Sequence, residues 1–277
     1  MAELGTFSDS LAFWIDFPEA RRAVETIVDV AHDEPDERPT CVVLVGQSGM
    51  GKTSILREAQ RRIDRDYPEP SDWSDSRYTP MLRTVIPASP TSLKINLTLL
   101  WKQGWPITSK THRTADLKVV DLLRKQRTRL VAVDNVHAIL TASGKARRDT
   151  LDAFRFLMSE GNVPMVVAGL EIAADIFSDD VELAYRSIIL RLPLWAPGDP
   201  STQLIRELAR GLHLIEPEQL AEPEIAEFIW RHSQGVTGNF KRLLHWALKV
   251  ARRDGRERVE FADIREAAAL LPIYASV

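Results

Sequence analysis

Short apolar runs alternate with longer amphipathic segments over the first two thirds of the chain. Five runs have strand length and are apolar at most positions, at residues 41–45, 81–86, 130–134, 165–168 and 188–192. Continuous apolar runs are typical of strands buried on both faces of a parallel sheet. Helical periodicity is predicted between them, at 18–31, 52–67, 91–103, 114–127, 147–160 and 172–177. This alternation predicts an α/β fold, in which helices flank a five-stranded parallel sheet.

The strand pattern stops after Pro200. Four helical segments follow, at 202–212, 223–234, 239–253 and 262–271. A change from alternating strands and helices to helices alone predicts a small C-terminal helical lid subdomain. We therefore expect an N-terminal segment and helix at 1–38, an α/β core at 39–196 and the lid at 197–277.

The amino-acid composition excludes several classes of protein. The 277 residues are 44% apolar and 27% charged, which is enough apolar material to build a core and excludes disorder as the main state. The formal net charge of −3 provides no overall attraction to nucleic acid, so any such site must be a local patch. A single cysteine, Cys41, excludes a disulfide framework. No secretory signal and no membrane span is visible, so we expect a cytoplasmic protein without a membrane partner.

A phosphate-binding motif follows the first predicted strand. Residues 46–53 have the sequence GQSGMGKT, which matches G-x-x-x-x-G-K-[ST] between a buried strand and a helix. In this motif the loop N–H groups surround nucleotide phosphates, while Lys52 contacts the β- and γ-phosphates and Thr53 holds Mg²⁺. The expected cofactors are therefore ATP and Mg²⁺. The expected nucleotide-binding segment comprises Gly46, Gln47, Ser48, Gly49, Met50, Gly51, Lys52, Thr53 and Ser54.

A second acidic position completes the expected metal site. Asp134 ends the third apolar run, which is the pattern of a Walker B aspartate, although an acid there could also cap the next segment. Asn135 follows it, where hydrolysing ATPases usually have a glutamate. An amide can orient the attacking water but cannot accept its proton, so we expect ATP to bind and to be hydrolysed slowly. His137 lies two positions on, and either contacts water or phosphate, or faces solvent or a neighbouring strand.

Basic residues are concentrated in two segments. Residues 110–129 contain seven Lys or Arg against two acids, and residues 241–258 contain seven against two. Such stripes can bind phosphate backbones without recognising the base sequence. They are also what an ordinary solvated helix face looks like, so the charge pattern alone does not decide the matter.

The ordered set of motifs resembles the TniB/TnsC family of transposition AAA+ ATPases, which are relatives of MuB. The resemblance runs from about residue 18 to the end and extends beyond the phosphate loop. Its further segments are a strand and proline-rich turn at 85–90, the Walker B segment at 133–140, a strand and turn at 166–173 and Leu-Pro-Leu-Trp at 192–195. Leu170 stands where the family usually has a polar sensor. The fold that this resemblance implies is the AAA+ P-loop NTPase.

The resemblance also implies partners and further site residues. Family members bind ATP, assemble as rings or helical filaments on duplex target DNA, and recruit a DDE transposase, often with a TniQ-type adaptor. Arg186 matches the arginine that reaches a neighbouring subunit's nucleotide, and Lys241, beside Arg242, matches the sensor position of the lid. Each of these could instead be an ordinary surface cation. The implied DNA contacts are Lys94, Lys110, Thr111 and Arg113.

Two other functions remain possible from the sequence. One is a helicase-loader-like remodelling ATPase, which Asn135 disfavours because remodelling needs efficient hydrolysis. The other is a protein-only NTPase signalling switch, which the small size of the chain beyond core and lid disfavours. DNA retention that depends on ATP would separate the regulator of transposition from the signalling switch.

Overall fold

A computed structural model of the chain describes residues 13–34, 38–73, 77–214 and 216–271. Contacts within the chain group these residues into two compact units. The larger unit comprises 18–46 and 52–192, and the smaller comprises 13–17, 47–51 and 193–271. The domain boundaries predicted after residues 38 and 196 stay predictions. None of the described helices is long and apolar enough to cross a membrane.

The larger unit contains a parallel sheet in the order β2-β3-β4-β1-β5. Its strands are β1 (Cys41–Gly46), β2 (Met81–Val85), β3 (Leu130–Asp134), β4 (Met165–Gly169) and β5 (Ser187–Leu192). Every residue of the three central strands β1, β3 and β4 is buried, whereas the two edge strands are partly exposed. The five-stranded parallel sheet predicted from the apolar runs is therefore confirmed.

Helices cover the sheet and form its hydrophobic core with it. They are α1 (Pro18–His32), α2 (Lys52–Asp66), α3 (Ser92–Lys102), α4 (Ser109–His112), α5 (Ala115–Lys125), α6 (Gly144–Gly161), α7 (Ile172–Ser178) and α8 (Val181–Tyr185). A 3₁₀ helix, Val136–Thr141, follows β3. Phe154 and Phe177 stack within the core at a centroid distance of 6.4 Å. The short helices α4 and α8 were not predicted, because each has too few residues to show a helical period.

The smaller unit has its own apolar core. Its helices are α9 (Asp199–Gly211), α10 (Pro223–Ser233), α11 (Thr237–Arg253) and α12 (Phe261–Leu270), with a 3₁₀ turn at Gln219–Ala221. Phe240 and Leu244 of α11 are fully buried in this core. A buried carboxylate, Asp263, accepts two hydrogen bonds from the Arg256 guanidinium, at 2.7 and 2.6 Å. The pair anchors the start of α12, because Asp263 also accepts the N–H of Glu260.

Candidate nucleotide-binding site

The lysine of the phosphate motif lies at the end of β1. Lys52 is the first residue of α2, and its Nζ donates to the Gly46 carbonyl at 2.7 Å. Burial lowers the pKa of Lys52, and the negative charges of Asp134 and Glu171 act in the opposite direction. The ammonium group is thus held at the carboxyl end of the sheet, close to two carboxylates.

The loop between β1 and α2 depends on glycine. Gly49 and Gly51 have φ values of +84° and +90°, which residues with a Cβ rarely adopt. The Gly238 N–H, at the start of α11, donates to the Gly49 carbonyl at 2.9 Å. A Cβ at Gly49 would lie 2.9 Å from Cγ1 of Val236. Both the backbone angle and the close approach therefore require glycine at position 49.

The two expected metal-binding residues are in direct contact. The Thr53 hydroxyl donates to Asp134 Oδ2 at 2.6 Å, and the Asn135 N–H donates to Oδ1 at 2.8 Å. Asp134 is 5% exposed and forms no ion pair within 4 Å among the residues that the structure describes. A buried carboxylate beside a hydroxyl fits the oxygen ligands that Mg²⁺ prefers.

Asn135 has a left-handed backbone, with φ 61° and ψ 32°. It is exposed, and it lies between β3 and the 3₁₀ helix. Asparagine adopts this conformation more readily than most residues do. The left-handed backbone therefore favours asparagine at position 135, and this reason is separate from the absence of a glutamate there.

His137 lies at this site. Its Nδ1 is 3.4 Å from the backbone N–H of Leu170, at the end of β4. Burial and the charge of Lys52 lower the pKa of His137, while Asp134 acts against them. Of the possibilities that the sequence left open, the structure shows a contact with the neighbouring strand, since the ring lies against the end of β4. A contact with water or phosphate stays a prediction.

An ion pair near Lys52 was missed by the sequence analysis. Glu171 follows β4 and accepts a hydrogen bond from Arg191 Nε of β5 at 2.7 Å. Since β4 and β5 lie on either side of β1, the pair spans the end of the strand that leads into the phosphate loop. The available signal was a charged residue just after β4 and another on β5, the two strands that flank the motif strand.

The family assignment rests on the sequence model described as "Bacterial TniB protein", which matches residues 10–197. The chain belongs to the TniB family. No curated protein sequence matches it.

This TniB-family chain shares its fold with several solved structures. The Aeropyrum pernix ORC2 protein in ADPNP and ADP complexes has a TM-score of 0.68 at 16% identity, with 95% of this chain and 72% of that chain covered. The Aeropyrum pernix ORC1 protein in complex with DNA has a TM-score of 0.66 at 18% identity, covering 95% and 68%. The Thermotoga maritima RuvB Holliday junction branch migration motor has a TM-score of 0.57 at 14% identity, covering 95% and 74%. The predicted AAA+ fold is confirmed.

The predicted trans-acting arginine is held within its own subunit in this TniB-family chain. Arg186 precedes β5, so it lies at the amino edge of the sheet. Its guanidinium donates to Glu182 at 2.6 Å and to the Ser159 hydroxyl at 3.4 Å. The side chain is only 8% exposed. A contact with a neighbouring subunit requires Arg186 to leave Glu182, and this role stays a prediction.

The predicted lid sensor also has a local contact. Lys241 Nζ lies 4.3 Å from the ring centroid of Phe13 within the smaller unit. Burial lowers the pKa of Lys241. Arg242, beside it on α11, is exposed. Whether Lys241 reaches a nucleotide stays a prediction.

The four predicted DNA contacts fall into two kinds. Thr111 is 2% exposed, and its hydroxyl lies 3.0 Å from the Thr108 hydroxyl in a capping box at the start of α4. Its buried side chain is explained by this cap, and we drop it from the DNA-contacting set. Lys94, Lys110 and Arg113 are exposed, although Lys94 Nζ donates to the Ser89 carbonyl at 3.0 Å.

Proposed function

We propose that this TniB-family chain is an ATP-dependent, DNA-binding AAA+ regulator of DNA transposition. In this proposal it assembles on duplex target DNA and recruits a DDE transposase, with a TniQ-type adaptor. The observation that carries the proposal is the Thr53–Asp134 contact beside Lys52, in a chain of the TniB family. The partners come from the family resemblance.

The nucleotide part of the proposal follows from the site geometry. ATP phosphates would take the place of the Gly46 carbonyl as the partner of Lys52, with backbone N–H groups of the glycine loop around them. Thr53 and Asp134 would hold Mg²⁺ through their oxygens, and Mg²⁺ offsets the phosphate charge. Asn135 leaves the attacking water without a carboxylate base, so ATP persists in the bound state.

The DNA part of the proposal is supported by two exposed cations at α4 of the larger unit, Lys110 and Arg113. Arg113, at the end of α4, and Thr91, at the start of α3, line the same 380 Å³ cavity, which Asp116 and Asp149 also line. Lys110 lies one helical turn before Arg113. These cations fit contacts with the phosphate backbone, which bind without base specificity and weaken as salt rises. The Aeropyrum pernix ORC1 protein, which shares the fold, was solved in complex with DNA, and this is consistent with such a use of the fold.

Nucleotide binding is tested by calorimetry with ATPγS and Mg²⁺. We expect Lys52→Ala to abolish measurable binding, because the phosphates lose the side-chain cation of the loop. Lys125→Ala is the matched control, since Lys125 forms a surface ion pair with Asp121 at 2.8 Å. Equal affinity for the wild type and Lys52→Ala would overturn the assignment of the site.

DNA binding is tested by fluorescence anisotropy of a labelled duplex, with and without ATP, over a series of salt concentrations. Lys110→Ala/Arg113→Ala should weaken ATP-dependent binding and lower the slope of log affinity against log salt by about 2. The control Arg61→Ala/Arg65→Ala removes two exposed cations from α2 and should change neither quantity. DNA binding that does not depend on ATP, or an equal effect of both double variants, contradicts the proposal.

A further inference from the structure

The end of β4 lacks a polar side chain that could contact a bound phosphate. Leu170 occupies that position, next to the β1 terminus from which the phosphate loop begins. Its backbone N–H, however, donates to Nδ1 of His137. The imidazole of His137, which follows β3, therefore supplies a polar group at a position where the Leu170 side chain cannot form a hydrogen bond.

The backbone at His137 lies close to the end of β4. A Cβ added at Gly169 would lie 2.9 Å from Cγ1 of Val136 and 3.3 Å from the backbone nitrogen of His137. Only glycine lets the 3₁₀ helix approach the end of β4 this closely. His137 follows β3 and contacts the residue after β4, and these two strands are hydrogen-bonded neighbours.

The contact with Leu170 determines which ring nitrogen carries the proton. A backbone N–H can only donate, so Nδ1 must present its lone pair, and in the neutral ring the proton is then on Nε2. The low pKa that burial and Lys52 impose, against the effect of Asp134, keeps the ring in this neutral form near neutral pH. His137 therefore has one available donor, Nε2–H, and no remaining lone pair.

We propose that His137 acts as the γ-phosphate sensor of this site, with its Nε2–H donating to the terminal phosphate of ATP and its Nδ1 linking that contact to the end of β4. This inference rests on the proposed nucleotide site. His137 contacts the end of β4, and β4 pairs with the end of β1, where Lys52 donates to the Gly46 carbonyl. Because both ring nitrogens are then engaged, His137 does not replace the missing carboxylate as a base.

The test compares the affinities of ATPγS and ADP, each with Mg²⁺, by calorimetry on the full chain. We expect the wild type to prefer ATPγS, and His137→Phe to reduce that preference about tenfold or more while leaving ADP affinity unchanged. Phenylalanine keeps a ring for packing and removes both nitrogens. Leu170→Asn added to His137→Phe should restore part of the preference, because it returns a polar side chain to the end of β4.

The control is His32→Ala, because His32 lies on α1 with Asp66 at 3.6 Å and should not affect the preference. Equal loss of ATPγS and ADP affinity in His137→Phe would show a structural role and overturn the inference. So would an unchanged preference in that variant, or a wild type that binds both nucleotides equally. A wild type that binds neither would instead contradict the proposed nucleotide site. Nitrogen-15 NMR of the imidazole provides a second measurement, and a proton found on Nδ1 also overturns the inference.

Discussion

Replacing Asn135 with glutamate should have two effects, one on the rate of ATP hydrolysis and one on the stability of the fold. The substitution puts a carboxylate where the attacking water lacks a base, and general-base assistance accelerates reactions about 10²–10⁴-fold. This corresponds to about 3–5 kcal/mol of activation free energy. The same substitution places a longer side chain on a backbone with φ 61°, which costs roughly 1–2 kcal/mol for residues that do not favour the left-handed region.

The two magnitudes predict opposite changes in two measurements. Steady-state phosphate release with saturating DNA should rise at least about 100-fold in Asn135→Glu. The unfolding temperature should fall by about 2–8 °C, because the strained backbone destabilises the folded state. Asn135→Gly is the control, since glycine accepts the backbone angle and brings no carboxylate, so its rate should not rise.

Two results would contradict this interpretation of Asn135. An Asn135→Glu protein that is folded at the assay temperature, yet no faster than the wild type, would show that the water is activated elsewhere. A wild-type rate already typical of AAA+ motors would have the same meaning.

Three further predictions concern other parts of the molecule. Arg256→Ala should lower the free energy of unfolding measured in urea titrations, because it leaves the buried Asp263 carboxylate without its hydrogen-bonded cation. Burial alone would raise the pKa of Asp263, but the Arg256 hydrogen bonds outweigh it and lower the pKa. The pair's contribution should therefore be complete above about pH 4 and disappear as the pH falls through the lowered pKa; equal destabilisation at all acidic pH values contradicts this. Gly49→Ala should weaken ATPγS binding by distorting the loop against Val236, and unchanged calorimetric affinity would refute that. Arg186→Ala should weaken assembly, measured by light scattering, more than it weakens nucleotide binding; equal effects would refute the trans role.

The sheet was predictable because strands that are buried on both faces are apolar at nearly every position. Each central strand is a run of apolar residues, and the structure has β3 at the residues that the run predicts. The Thr53–Asp134 contact was also predictable, because the phosphate motif after β1 and the end of β3 lie at the same edge of one parallel sheet. These features depend on local patterns combined with a simple topology.

The remaining features depend on contacts between distant residues or on backbone angles. Nothing in the apolar pattern indicates that the Leu170 N–H meets His137, since 33 residues separate them. The burial of Thr111 depends on a four-residue helix that is too short to show a period. Asn135 appears in the sequence only as a missing glutamate, whereas its left-handed backbone is visible only in three dimensions.

Electron microscopy of the purified chain with duplex DNA and ATP tests the central claim most directly. We expect rings or helical filaments on DNA with ATP, and their absence both with ADP and in Lys52→Ala. Particles that remain monomeric with DNA and ATP, or assemblies that form equally well without nucleotide, would contradict an ATP-dependent regulator that acts by assembling on target DNA.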